Sequence, residues 1–182
     1  MTVRITKPEF NLREKITELD FGQVPYHKMP AGSIISSAVW KVPATAVSTS
    51  GSWAWSTTPT NAVTYAVANF TFTKKLSTSI VQGIAVGHVD VNAADGDPTV
   101  VSLVNNGTAV YGAAYRHQRV QNQEPDAYTF AFEDDMSEQD DPLNPTYYLR
   151  CHSGANNMYF SRMYSGSTQN NPYRVFFQEV VQ

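Results

Sequence analysis

The stretch "TSIVQGIAVGHVDV", residues 78–91, carries the fold class. It is apolar at nearly every position, has no helical spacing of polar residues, and is rich in Val and Ile. A run of this kind reads as a β-strand buried on both faces. Gly83 and Gly87 interrupt it and point to close packing or a bulge. Immediately downstream, "TVVSLVNNGTAVYGAAY", residues 99–115, reads as a hairpin with Asn106-Gly107 at its turn. Upstream, "SIISSAVWKV" at 33–42 is a first strand, and "GSWAW" at 51–55 is placed to pair with it. In "AVTYAVANFTFT", 62–73, Val63, Tyr65 and Val67 alternate on one face, whereas Phe70 and Phe72 fall on the other, so a bulge or twist is expected between them. "AYTFAFE" at 127–133, "TYYLRCHS" at 146–153, "NMYFSRMY" at 157–164 and "YRVFFQEVVQ" at 173–182 complete a set of eight or nine strands. The last of these should tie the C-terminus into a sheet. Short strands at regular spacing, without a βαβ pattern or an internal repeat, predict an all-β domain, a β-sandwich of jelly-roll type.

Composition agrees. The 182 residues include ten Tyr and nine Phe, aromatic residues make up 12%, and charged residues only 16%. A chain of that length forms one domain with a core large enough to need no disulfide or metal. The net charge of −3 and the lack of a basic stripe argue against nucleic acid as a partner. No segment approaches the ~20 apolar residues of a membrane span, and the N-terminus has no secretory h-region, so no membrane partner is expected. Cys151 is the single cysteine, which leaves no intrachain disulfide; within a strand it reads as a small buried hydrophobe.

The N-terminal 32 residues differ from the rest. Pro8 precedes "NLREKITEL", in which Asn11 and Glu14 form a capping box and Leu12, Ile16 and Leu19 share one helical face. Gly22 and Pro25 end the helix, and "GQVPYHKMPAGS" at 22–33 is a linker by composition. A helix this short is marginal alone, so its stripe must be buried on something. The domain organisation expected is an arm at 1–32 and a β domain at 33–182.

Catalytic patterns are weak. His88 and Asp90 share a strand face, but no nucleophile elbow or second histidine accompanies them. "DVNAADGDP" at 90–98 has oxygen donors, yet its spacing is one residue too long for a Ca²⁺ loop and Val101 stands where the bidentate Glu would be. "EDDMSEQDD" at 133–141 holds six carboxylates in nine residues; the reading is a solvated loop, with a cation as the sharper alternative. No cofactor is implied and no metal is assigned. Tyr147, Tyr148, Tyr159, Tyr164 and Tyr173, with Trp53 and Trp55, could build a sugar platform or lie in the core. Tyr159 and Tyr164, beside Asn156 and Asn157, are the candidates for contact with a host-surface glycan.

"TVRITKPEFNLREKITELDFG" followed by "VPYHKMPAGSII" resembles the N-terminal segment of structural proteins of tailed phages, above all those of aquatic bacteria and cyanobacteria. The likeness covers residues 2–36. It implies a virion protein made in the host cytoplasm, whose arm (Pro8, Phe10, Asn11, Leu12, Ile16 and Leu19) anchors it to other virion proteins of tail or capsid. It also implies a homotrimeric, tail-fibre-like β domain. Three functions are expected in descending order: an adsorption appendage without enzymatic activity, a trimeric capsid decoration protein, and a carbohydrate-active enzyme built on the 133–141 loop.

Overall fold

The computed structural model describes residues 25–49, 58–60, 64–91, 98–105, 109–117, 125–153, 157–161 and 172–182. The expected arm helix and the "GSWAW" strand lie outside them. Among the described residues twelve strands, more than the eight or nine expected, follow a 3-10 turn at Tyr26–Lys28. They are β1 (Ile34–Lys41), β2 (Thr45–Ser48), β3 (Tyr65–Thr71), β4 (Ile80–Val86), β5 (His88–Val91), β6 (Pro98–Val104), β7 (Val110–His117), β8 (Pro125–Ala127), β9 (Phe130–Asp134), β10 (Thr146–Ser153), β11 (Asn157–Phe160) and β12 (Arg174–Val180).

They form three antiparallel four-stranded sheets. The first has the order β1-β12-β4-β9, the second β3-β10-β6-β7, and the third β2-β11-β5-β8. One rule generates all three. The chain divides into four consecutive runs of three strands: β1 to β3, β4 to β6, β7 to β9 and β10 to β12. Each sheet takes one strand from every run, in the lateral order first, fourth, second, third. The third sheet is therefore where each run passes between the first and second sheets.

Residues 78–91 show how this works. Read as a single strand, they divide instead at Gly87 into β4 and β5, which belong to different sheets. Gly87 has φ +155°, and a Cβ there would stand 2.8 Å from the Tyr173 Cα, so glycine suits both the turn and the close approach. The expected burial on both faces is also corrected. Val81 and Ala85 are fully buried, but Ile84 on the opposite face is 42% exposed. The first sheet has one inner face only, and the period-2 signal is masked because the outer positions include Ile80, Ile84 and Val86.

The bulge or twist expected between Val67 and Phe70 has a counterpart in the β3–β10 ladder, whose register shifts between Leu149 and Arg150, opposite residues 66–68. The extra residue turns both sets inward, so Tyr65, Val67, Phe70 and Phe72 all pack on the core. The hairpin reading also fits: β6 and β7 pair antiparallel, with its turn residues 106–108 outside the description. β12 ties the C-terminal end between β1 and β4.

Inner residues of the first and second sheets meet around Phe177 of β12. Its ring centroid lies 5.1 Å from Phe70 of β3, 5.8 Å from Phe72, 5.4 Å from Phe132 of β9 and 5.1 Å from Tyr147 of β10. Trp40 of β1 stacks on Phe70 at 5.8 Å. Gly83 leaves space beside this cluster, because a Cβ there would meet the Phe176 carbonyl oxygen and lie 2.7 Å from the Phe132 ring. Gly83→Ala should therefore cost on the order of 3 kcal/mol in urea denaturation, at the upper end for overpacking; a cost below ~0.5 kcal/mol would show that the β4–β12 ladder yields freely.

Candidate functional site

The buried polar groups come first, since a catalytic centre would need them disposed toward a cleft. Glu179 of β12 is fully buried. Its carboxylate accepts from the Lys75 N–H at 2.8 and 2.9 Å, the Leu76 N–H at 2.8 Å and the Ser79 hydroxyl at 2.6 Å. Lys74, also buried, donates to the Ser79 carbonyl and to the Ser77 carbonyl at 3.4 Å. Burial pulls the Lys74 pKa below its usual value, opposed by the charges of Glu179 and Asp134. This set pins the loop between β3 and β4 to the last strand.

Asp134 is 1% exposed. It accepts from the Met136 N–H at 2.8 Å, the Gln139 amide at 2.7 Å and the Tyr147 hydroxyl at 3.0 Å. Tyr128 and Tyr173 bury completely; Tyr173 donates to the Tyr128 carbonyl at 2.9 Å, and the Tyr128 hydroxyl shares a 2.5 Å hydrogen bond with Thr99. Burial pushes both phenols well above the ordinary tyrosine range. These polar chains hold loops and strand ends together.

The expected sites distribute as follows. Tyr147 and Tyr173 are core residues, which removes them from a sugar platform. Tyr159 is 7% exposed, and its hydroxyl accepts from the Asn157 amide at 3.2 Å; its ring is covered within the chain rather than offered to a glycan. Asn157 is half-buried. Tyr164, Asn156, Trp53 and Trp55 lie outside the described residues, as do Pro8, Phe10, Asn11, Leu12, Ile16 and Leu19. His88 is exposed and Asp90 buried. Cys151 is fully buried and its thiol pKa is pushed up by desolvation, as a small core residue requires.

The acidic loop is built of turns. Asp135 accepts from the Ser137 N–H at 2.9 Å, and Asp141 from the Leu143 and Asn144 N–H groups at 2.9 and 3.1 Å. The Ser137 and Asn144 contacts hold these two carboxyls below the ordinary aspartate value. Among the described residues no three His, Cys, Asp or Glu side chains come together as a metal site. The loop borders a polar hollow of ≈ 360 Å³ lined by Asn105, Glu138, Asp140, Asn144 and Tyr148.

The outer face of the first sheet is the feature that the sequence reading missed. Beyond an apolar end row of Ile34, Val180 and Ile80, of which Ile34 is 55% exposed, strand register places three rows across it. Ser37, Gln178, Gln82 and Glu133 form a polar row; Val39, Phe176, Ile84 and Ala131 form an apolar row; Lys41, Arg174 and Val86 form a third. Val39 is 52% and Ile84 42% exposed. Over Gly83 the first two rows border an open concavity of ≈ 650 Å³, lined by Gln82, Ile84, Glu133, Phe176 and Gln178. Gln82 within an otherwise apolar run was the available sign that this side of β4 faces outward. No protein-family model matches the chain, and neither does any curated protein.

Proposed function

We propose that this chain is a non-enzymatic structural protein of a bacteriophage virion, a short trimeric adsorption appendage held by residues 1–32 and presenting residues 33–182 outward. The observation that carries the reading is the contrast between inside and outside. Buried carboxylates and phenols are spent on holding loops, whereas an apolar row and a broad concavity lie open on a rigid sheet. That is the disposition of a binding or assembly module. The N-terminal resemblance to tailed-phage proteins supplies the setting.

The fold is read within the same proposal as a β-sandwich of jelly-roll type. The order β1-β12-β4-β9 facing β3-β10-β6-β7 supports it, since a long antiparallel hairpin rolled upon itself produces this lateral order. Three chains carrying three arms would gain avidity, because each arm that docks raises the effective concentration of the others.

Deleting residues 1–22 tests the division. The truncated chain should keep its fold and Tm to within a few degrees and fail to join particles. Unfolding of the truncated chain would make the arm part of the core and defeat the anchor reading. Copy number separates tail from capsid: tens per particle fit an appendage, whereas hundreds would make the protein a trimeric decoration of the capsid shell.

A further inference from the structure

We propose that the concavity over Gly83 on the outer face of the first sheet is a binding site for a neutral sugar; this rests on the adsorption reading and names the ligand class for it. Its lining combines two half-buried aromatic rings, Tyr111 and Phe176, and the edge of the buried Phe132 ring with two carboxamides, Gln82 and Gln178, and one carboxylate, Glu133. An aromatic face accepts the apolar C–H side of a pyranose. Carboxamides both donate and accept, and a carboxylate accepts, so the three polar groups match a ring of hydroxyls. The three polar groups and Phe176 sit on β4, β9 and β12 and Tyr111 on β7, and the strands fix their spacing.

Size decides against a second copy of the chain as the occupant. Four strands ~4.8 Å apart and four rows ~7 Å apart make a patch on the order of 300 Å². A standard protein interface takes ~800 Å² from each partner. The ≈ 650 Å³ concavity falls instead within the ~300–1,000 Å³ of small-molecule sites. Charge selects among sugars. Among the described residues the lining holds one acidic side chain, Glu133, and no basic one, while Lys41 and Arg174 stand beyond the apolar row, outside the concavity. An acidic saccharide would meet Glu133 with like charge, and a neutral one pays no such cost.

The test is saturation-transfer-difference NMR on the full chain with the methyl glycosides of glucose, galactose, mannose and N-acetylglucosamine. At least one should receive saturation on its ring protons. Phe176→Ala should abolish that signal and Gln178→Leu should weaken binding at least tenfold. Since Phe176→Ala also removes packing, Gln178→Leu, at a half-buried outward position, keeps the test valid if the first variant is poorly folded. Absence of transfer from all four glycosides, or transfer unchanged in the folded variants, overturns the proposal. Adsorption that needs the protein without any sugar signal would sink the site alone. Absence of the protein from particles would sink the adsorption reading and leave the titration standing.

Discussion

Phe177→Ala is expected to destabilise the fold by about 3–5 kcal/mol, the range for truncating a buried aromatic. Phe177 is 1% exposed and touches rings from three other strands, with Phe70 and Tyr147 both at 5.1 Å and Phe132 at 5.4 Å. Those partners come from both the first and the second sheet, so the cavity would open where the two inner faces meet. Trp40 reaches the cluster through Phe70, and its near-ultraviolet circular dichroism should weaken along with the urea midpoint. Phe177→Leu, which fills much of the space, should recover about half of the loss. A cost for Phe177→Ala below ~1 kcal/mol would mean that the sheets are not joined through this ring.

Glu179→Ala should cost a similar ~3–5 kcal/mol for a different reason, the loss of one partner from a buried charged group. Two backbone N–H groups and the Ser79 hydroxyl would lose their acceptor, and the buried Lys74 ammonium would lose a neighbouring negative charge. Glu179→Gln keeps an acceptor oxygen and should cost less. The pH dependence has a definite sign. Burial holds the folded-state pKa of Lys74 below the ordinary lysine value, so the unfolded chain binds more protons between the two values and stability rises with pH there. Removing Glu179 takes away the larger of the two charges that hold this pKa up, so the rise should begin at lower pH in the variant. Equal denaturation curves for wild type and Glu179→Ala would contradict the pinning role of this carboxylate.

The β class, the bulge in β3, the 99–115 hairpin and the C-terminal strand were legible in the sequence because alternation and turn chemistry act locally. The sheet assignment of 78–91 was not. Gly87 changes the chain direction in a way that hydropathy does not record, and Ile84 and Val86 are apolar on the outer face. The polar assignments were less legible still. Asp134 and Glu179 look like ordinary surface carboxylates until the register places them inward with N–H and O–H donors around them. Asp134 in particular was hidden within the run of acidic residues at 133–141, whose members after it sit in exposed turns while Glu133 lies on the outer face of β9. Tyr159 looked accessible beside an Asn-rich loop, whereas it is buried on a strand whose partners at 45–48 and 89–91 lie far away in the chain. The concavity over Gly83 joins four strands separated by up to about a hundred residues, so no local pattern announces it.

The proposed role places this chain on an appendage of the virion. Quantitative mass spectrometry of purified particles made by the genome encoding it, combined with a cryo-electron microscopy map, tests that most directly. The result predicted is tens of copies per particle in a multiple of three, with the β domain located at the tail and its arm toward the particle. Particles that are complete and contain none of the chain would contradict it.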